Sequence, residues 1–544
     1  MHPALRMHPV LRGAGALGLA VALAGGGACQ SGATAGSAKV EPSTPATTLA
    51  SPATTATAAR TVPALPASLT GQQLDWHACP APSTAQGGGE APGAPWECAA
   101  LKAPLDHADP NGRTIDLALI RMRAHSGQPR IGSLIYNFGG PGASGVATLP
   151  ALAQDYTDLN TRYDLVALDP RGVGDSAGVR CLDDAATDAS AGVDGSPDDT
   201  AEVRALDEAN AAYTSACQQN SAGVLPYVDT VAAARDLDLL RQVLGDDTLH
   251  YFGFSYGTEL GGVYAHLYPD RVGRLVMDAV VDPTEDPLQG ALGQTKGFQL
   301  ALENFMKACA EQVGAECPTG PGGERGTQRI TALLQGLDAT PLPAGGGRTL
   351  TQDLAVTGIA AALYSEASWN ALAIGLQEAM QGGSGTTLLA LADAYLGRDA
   401  QGHYSNLIAA NRAITCVDDR PRYTSADVQE QLPVFRQASP VFGEFAAWGL
   451  TACWPWPVPG QSEHPDVSAP GAAPIVVIGN TGDPATPYEG ARAMARQLGT
   501  GVGVTVTLRG QGHGGYDTGN SCLKQVVDQY LLDGVVPADG TTCT

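Results

Sequence analysis

The sequence has few basic residues for its length. Its 544 residues contain 31 Lys and Arg against 55 Asp and Glu, which gives a net charge of -24 and a pI of about 4.6. Phosphate backbones and anionic lipid surfaces attract basic proteins, so this balance argues against nucleic acid or an anionic membrane surface as a partner. We interpret the acidity as a source of solubility, in preference to a role in attracting a cationic substrate.

Two patterns that signal a bound metal are also missing. The 11 cysteines include no C-x-x-C pair, and the 10 histidines form no His-rich cluster. Zinc sites and redox motifs normally show such spacings. We therefore expect no metal and no other cofactor.

The N-terminus has an apolar run that is too short to span a membrane comfortably. Arg6 and Arg12 precede the uncharged stretch Gly13 to Ala28, which ends in Gly-Gly-Ala before Cys29. A basic start followed by such a run is typical of export signals, so we assign residues 1–29 to an export segment. A Cys after small residues resembles a bacterial lipoprotein cleavage site. Two interpretations stay open: a lipid on Cys29 that attaches the protein to a membrane, or ordinary signal cleavage nearby.

Residues 30–66 are dominated by Ala, Thr, Ser, Pro and Gly. Such a segment buries too little apolar surface to offset its ordering entropy, so we predict a disordered linker. The sequence therefore indicates a bacterial protein that is secreted or held at the cell surface.

The cysteines support export independently. Ten of the 11 follow Cys29, and an even set in an exported chain favours disulfides over metal ligands. Sequence alone does not fix the connectivity. Joining each cysteine to its neighbour along the chain gives Cys79–Cys98, Cys181–Cys217, Cys309–Cys317, Cys416–Cys453 and Cys522–Cys543.

Short apolar segments alternate with helix-like segments through most of the remaining chain. Leu249 to Phe254 is typical of a strand, and Val231 to Leu244 is the clearest helix. This alternation predicts an α/β fold with a doubly wound, mostly parallel sheet. Residues 284–473 break the rhythm with a mostly helical pattern, so we expect an inserted cap there. It would separate two parts of one core, 67–283 and 474–544.

The motif Gly253-Phe254-Ser255-Tyr256-Gly257 lies between a strand-like and a helix-like segment. A nucleophile elbow requires that context, because its turn is tight and small residues must flank the serine on both sides. We therefore assign Ser255 as the nucleophile of a serine hydrolase, and we predict the α/β-hydrolase fold.

A serine hydroxyl needs a base, and in this fold the acid and the histidine follow the serine along the chain. Asp483 comes just after the apolar run Pro474 to Ile478, which predicts a buried strand. His513 lies in the Gly-rich loop after the next strand-like run. We assign Asp483 as the acid and His513 as the base of a catalytic triad with Ser255.

Hydrolysis through a serine also needs two backbone N–H donors for the oxyanion. The first is expected from Tyr256, which follows the nucleophile. The second is expected from Gly139 or Gly140, in a Gly-rich loop that follows an apolar strand.

Five short motifs are spread along the chain: Gly139 to Gly145, Asp169 to Gly174, Gly253 to Thr258, Asp483 to Pro487 and Gly510 to Gly514. Together they resemble the secreted bacterial tripeptidyl aminopeptidases, which are relatives of the prolyl aminopeptidases within the α/β-hydrolases. The resemblance covers roughly Trp76 to Cys543. It implies the same triad roles and an enzyme that releases short peptides, often tripeptides, from free N-termini of peptides or proteins.

Exopeptidase action requires recognition of the N-terminal ammonium of the substrate, and a buried carboxylate is its natural partner. We expect the helical insertion to supply this group. The candidates are Asp418 and Asp419, just after Cys416, and Glu444. A solvated surface carboxylate is the competing interpretation for each of them.

Two other functions are compatible with the sequence. A carboxylesterase would use the same triad on small esters, and only a preference for free amines would separate it from an aminopeptidase. A non-catalytic surface lipoprotein that binds peptides would keep the fold. The intact Ser, Asp and His argue against that last interpretation.

Overall fold

The computed structural model describes residues 63–544, so the export segment 1–29, with Cys29, and most of the linker 30–66 lie outside the described residues. The strands are β1 (His77–Ala78), β2 (Glu97–Pro104), β3 (Thr114–Met122), β4 (Gly132–Asn137), β5 (Tyr163–Leu168), β6 (Leu249–Phe254), β7 (Val272–Asp278), β8 (Leu342–Pro343), β9 (Thr349–Leu350), β10 (Ile475–Gly482), β11 (Gly503–Gln511) and β12 (Thr541–Cys543). The α-helices are α1 (Ala67–Thr70), α2 (Gly145–Leu152), α3 (Asp184–Ser190), α4 (Thr200–Ser221), α5 (Thr230–Leu244), α6 (Tyr256–Leu267), α7 (Pro287–Val313), α8 (Gly323–Ala339), α9 (Gln352–Leu363), α10 (Trp369–Gln377), α11 (Thr386–Leu396), α12 (Leu407–Asp418), α13 (Ser425–Ala438), α14 (Gly443–Gly449), α15 (Glu489–Leu498) and α16 (Ser521–Asp528).

The large sheet has the strand order β1-β2-β3-β5-β4-β6-β7-β10-β11-β12. Pairing is antiparallel from β1 to β5 and parallel from β5 to β12. The predicted doubly wound, mostly parallel sheet of the α/β class is therefore confirmed. Since parallel strands end at the same edge of a sheet, the loops after β4, β6, β7, β10 and β11 meet there.

The central strands are buried on both faces, which explains their continuous apolar sequences. Every residue of β4 is buried, and so is the apolar start of β10. The structure extends β10 four residues beyond the predicted end at Ile478. The extension occurs because pairing with β11 continues to Gly482, opposite Gln511.

The helical segment between β7 and β10 has apolar clusters of its own. One cluster includes Phe298, Phe305 and Leu372, and a smaller one includes Phe435 and Trp448. Both are distinct from the two clusters that cover the faces of the large sheet.

Helix α12 is an exception, because it belongs to the helical segment but packs against the large sheet. Its residues Ala410 and Ile414 pack into the core of the large sheet. The helix thereby ties the helical segment to the sheet, and its last residue, Asp418, comes to lie near the end of β6.

Five disulfides link neighbouring cysteines along the chain, in the pairing that the sequence suggests. They are Cys79–Cys98, Cys181–Cys217, Cys309–Cys317, Cys416–Cys453 and Cys522–Cys543. Among residues 63–544, no helix combines the length and the apolar character that crossing a membrane requires.

Candidate active site

Ser255 occupies the sharp turn between β6 and α6. Its backbone has φ 55° and ψ -126°, a conformation that is costly for a residue with a side chain and typical of a nucleophile elbow. The flanking glycines are required by close contacts. A Cβ on Gly253 would lie 2.4 Å from the carbonyl oxygen of Gly257, and one on Gly257 would lie 2.8 Å from that of Asn137. The spacing of the motif therefore follows from the tightness of this turn.

Asp483 and His513 form a hydrogen-bonded pair. Nδ1 of His513 lies 2.9 Å from Oδ1 and 3.1 Å from Oδ2 of Asp483, whose side chain is fully buried. The carboxylate also accepts the N–H groups of Ala485, Thr486 and Gly514, which fix its orientation. With Nδ1 engaged in this way, Nε2 is the nitrogen left to act as a base.

Asp278, at the end of β7, contacts both the nucleophile turn and the histidine loop. Its carbonyl accepts the N–H of Ser255 at 3.0 Å, and its carboxylate accepts those of Gly515 at 3.0 Å and Tyr516 at 2.8 Å. Burial raises the pKa of Asp278 to about 6, although these N–H bonds oppose the shift. Within residues 63–544 no hydrogen bond joins Ser255 Oγ to His513, and such bonds are often long until substrate binds.

The helical segment reaches the histidine through Tyr364, which follows α9. The N–H of His513 donates to the carbonyl of Tyr364 at 2.7 Å, and the two rings meet edge to face with centroids 4.9 Å apart. Sequence reasoning missed both Tyr364 and Asp278. A charged residue that ends the apolar strand β7 was a signal for Asp278, whereas nothing local marks Tyr364.

The candidate oxyanion donors differ in availability. The N–H of Tyr256 belongs to the first turn of α6, where donors have no partner within the helix. The N–H of Gly139 instead donates to Oδ1 of Asn137 at 2.9 Å, so Gly139 does not suit the donor role assigned to it from sequence. Its role is steric, because a Cβ there would lie 2.8 Å from that of Ser255. Gly140 lines the cavity beside Ser255 and is the better second donor.

A cavity of about 180 Å³ opens beside Ser255. Tyr256 at the start of α6 and Thr486 in the loop after β10 line it, as do Asp418 and Asp419 at the end of α12. Two of the three carboxylates assigned to ammonium binding from sequence therefore face the same cavity as the candidate nucleophile.

A third carboxylate of this cavity, Glu259, lies one helical turn after Ser255. Within residues 63–544 it has no hydrogen bond and no ion pair. Burial, with a contribution from nearby Asp419, raises the pKa of Glu259 to about 8. Sequence reasoning missed it, although a charged residue in an otherwise apolar helix after the elbow was a signal.

Asp418 and Asp419 share this environment. Asp418 accepts the N–H and the hydroxyl of Thr230 at 2.9 and 2.6 Å. Burial, together with Glu259, raises the pKa of Asp418 well above its usual value. Burial and Asp418 do the same for the pKa of Asp419, while Arg422 opposes the shift. The three carboxylates repel one another, so a bound cation would stabilise all of them.

Glu444 lies elsewhere. It is in the first turn of α14, where it pairs with Arg436 at the protein surface, and it does not line the cavity. Its assignment to ammonium binding is therefore corrected, because its charge is already balanced by a neighbour on α13.

Comparisons with known proteins agree with this architecture. Residues 133–316 match the family model described as alpha/beta hydrolase fold, and residues 439–543 match the one described as TAP-like protein. Serine protease Hip1 of Mycobacterium tuberculosis is 36% identical over 490 residues, which cover 87% of this chain and 91% of that protein. Carboxylesterase B of the same organism is 36% identical over 82% of this chain and 86% of its own length. Tripeptidyl aminopeptidase of Streptomyces lividans is 30% identical over 82% and 84%.

Proposed function

The chain belongs to the TAP-like family of α/β-hydrolase serine peptidases, and from this premise we propose that it releases tripeptides from the free N-termini of exported or extracellular peptides. The observation that carries the proposal is the location of Glu259, Asp418 and Asp419 in the cavity that Ser255 faces. An exopeptidase must hold an ammonium group near its nucleophile, and these carboxylates supply the opposite charge. The length of the product follows the relatives named tripeptidyl aminopeptidase.

In the proposed acylation step, Oγ of Ser255 attacks the scissile carbonyl while Nε2 of His513 takes its proton. Asp483 holds the imidazole ring and stabilises the imidazolium that forms. The N–H groups of Tyr256 and Gly140 bind the oxyanion. When the C–N bond breaks, His513 gives the proton to the leaving amine, and the N-terminal tripeptide stays bound to Ser255 as an ester.

Deacylation repeats these roles with water. His513 removes a proton from a water molecule, which attacks the ester carbonyl. The proton then passes to Oγ of Ser255 as the C–O bond breaks. The tripeptide leaves with a free carboxylate, and the enzyme returns to its starting state.

Export is the second part of the proposal. Five disulfides in residues 63–544 suit an oxidising compartment, since such bonds are rare in the reducing cytosol. An export segment over residues 1–29 and a lipid on Cys29 remain predictions from the sequence.

A carboxylesterase is the alternative candidate, because one relative at 36% identity carries that name. The same triad would hydrolyse an ester. These half-buried carboxylates favour the peptidase, because ionising them in the empty cavity is costly and a bound ammonium would offset that cost, whereas a neutral ester would not.

Hydrolysis of a chromogenic tripeptide anilide, with its N-terminus free or acetylated, tests the proposal. Wild type should cleave the free form at least about tenfold more efficiently, since loss of a charged partner costs about 1.5–3 kcal/mol. Ser255→Ala should lose nearly all turnover while keeping its unfolding temperature. Equal cleavage of the two forms, or cleavage of simple esters only, would reject the aminopeptidase function.

A further inference from the structure

The loop after β4 is held by hydrogen bonds near both of its ends. At its start, the N–H of Gly139 donates to Oδ1 of Asn137 at 2.9 Å. At its end, the hydroxyl of Ser144 donates to the fully buried carboxylate of Asp169 at 2.6 Å. Neither bond reaches the middle of the loop, residues 140–142, which contains the better candidate for the second oxyanion donor.

Asn411 of α12 makes the only hydrogen bond to this middle part within residues 63–544. Its side-chain nitrogen donates to the carbonyl of Pro141 at 3.1 Å. The helix also approaches the loop closely, because a Cβ on Gly142 would lie 2.5 Å from the carbonyl oxygen of Leu407 and 3.1 Å from the backbone nitrogen of Asn411. Asn411 itself does not line the cavity, so any effect that it has on catalysis must pass through this loop.

Helix α12 is itself held in place, which makes it a suitable support. At its start, the side chain of Asn406 accepts the N–H of Gly174 at 2.8 Å. At its end, the carboxylate of Asp418 accepts the hydroxyl of Thr230, whose oxygen lies 2.5 Å from the hydroxyl oxygen of Tyr256. The helix therefore contacts the loop of one candidate oxyanion donor and, through Thr230, the side chain of the other.

Gly140 is buried and lines the cavity beside Ser255, and within residues 63–544 its N–H makes no hydrogen bond. Buried backbone N–H groups nearly always have a partner, so an unpaired one beside a nucleophile points to an oxygen atom of the substrate. The direction of this N–H depends on how the chain is held on either side. Asn137 holds the chain just before it, and Asn411 holds the chain just after it.

We propose that Asn411 is a positioning residue for the oxyanion hole, whose hydrogen bond to Pro141 holds the N–H of Gly140 where the oxyanion forms. The inference rests on the proposed acyl transfer at Ser255 but not on a preference for free N-termini. Peptides and esters both form an oxyanion at this step. Loss of the hydrogen bond therefore slows the hydrolysis of either substrate and leaves its binding unchanged.

Replacing Asn411 in two ways separates this role from a structural one. Asn411→Asp keeps the shape of the side chain, but a carboxylate cannot donate to the carbonyl of Pro141. Asn411→Ala removes the side chain beyond Cβ. Asn370→Asp is the control for the added charge, because Asn370 is exposed on α10 and does not line the cavity. Unfolding temperatures of all proteins identify any misfolded variant.

Steady-state kinetics with a tripeptide anilide and a p-nitrophenyl ester give kcat and KM. Both Asn411 variants should lose about 10- to 100-fold in kcat with little change in KM, since one misplaced oxyanion donor affects the rate in this range. Asn370→Asp should match wild type in both constants.

Inhibition by a tripeptide aldehyde and by the corresponding alcohol gives a second readout. Oγ of Ser255 adds to the aldehyde carbon as His513 takes its proton, and the former carbonyl oxygen then accepts from the oxyanion donors. The alcohol cannot form this bond. Both Asn411 variants should therefore raise the inhibition constant of the aldehyde about tenfold or more and leave that of the alcohol unchanged.

Two results would overturn the role of Asn411. One is an unchanged kcat in the folded variants. The other is an equal change in the two inhibition constants, which would mean that Asn411 supports the site as a whole. A failure of the proposed aminopeptidase function appears separately, in wild type, as equal cleavage of free and acetylated tripeptide anilides.

Discussion

Glu259 is a half-buried acid that lies among other acids and, within residues 63–544, has no hydrogen bond or ion pair. Its pKa of about 8 means that it holds its proton at neutral pH while the cavity is empty. A bound ammonium would draw the proton off, because the charged carboxylate then gains an opposite charge. The empty enzyme is therefore less stable than it would be with a neutral residue at this position, and binding relieves that cost.

The stability of a Glu259→Gln variant tests this account of the residue. The ordinary pKa of Glu is near 4.5, so between pH 4.5 and about 8 the unfolded chain releases a proton that the folded protein keeps. The contribution of Glu259 to stability is thus fully present below pH 4.5 and is lost as the pH rises through 8. Gln does not titrate, so the variant should melt at a higher temperature than wild type at about pH 9, with the gap closing toward about pH 5.

Thermal unfolding of both proteins at several pH values measures this gap, with Glu303→Gln as an exposed control. The account fails if wild type is the more stable protein at the alkaline end, or if the gap is the same at every pH. The variant should also lose the preference for free over acetylated N-termini.

At the scale of elements, strand β7 links the two segments that carry the serine and the histidine. The carbonyl of Asp278 holds the nucleophile turn after β6, and its carboxylate holds the loop after β11. The second oxygen of that carboxylate accepts the N–H of Ala279. One residue thereby fixes the relative positions of three chain segments.

Asp278→Asn should disturb this link without changing the cavity. An amide offers one oxygen where the carboxylate offers two, so at least one buried N–H loses its acceptor at a cost of about 1–3 kcal/mol. We expect kcat to fall about tenfold or more with little change in KM, because the substrate contacts remain. Steady-state kinetics measure the split. A loss of thermal stability with unchanged kcat would mean that Asp278 supports only the fold.

Strands and helices that show an apolar pattern among neighbouring residues could be predicted from the sequence. Strand β6 has the bounds that the sequence indicated, because its residues are buried in the sheet apart from the half-buried His250. The polar end of β10 could not be predicted. It continues because Asn480 donates to the carbonyls of Gly512 and Gly514, a long-range contact that replaces solvent.

The residues of the candidate site also divide into those that a local motif marks and those that only contacts with distant segments reveal. Ser255, Asp483 and His513 were assigned by motif and chain order, since each lies just after a strand. Tyr364 and Asp278 were missed because they act through contacts with distant segments. The sequence also offered two glycines as oxyanion donors. The hydrogen bond from Gly139 to Asn137 and the place of Gly140 in the cavity lining distinguish them.

For the whole molecule, the folded chain shows where part of the acidity lies. The net charge of -24 suggested solubility when read from composition alone. Within residues 63–544, eight acidic side chains and no Lys or Arg line the cavity beside Ser255. A cavity of one charge sign concentrates field lines and draws in ligands of the opposite sign. Part of the acidity is thus concentrated where the ammonium group of the proposed substrate would bind.

The central claim is that Ser255 is the nucleophile of this cavity, activated by His513. Reaction with a phosphonate analogue of a free tripeptide, followed by peptide mapping in a mass spectrometer, tests it most directly. The account predicts one adduct, on Ser255, which forms slowly in His513→Ala and is absent from a folded Ser255→Ala variant. An adduct on another residue, or equal labelling of Ser255→Ala, would contradict it.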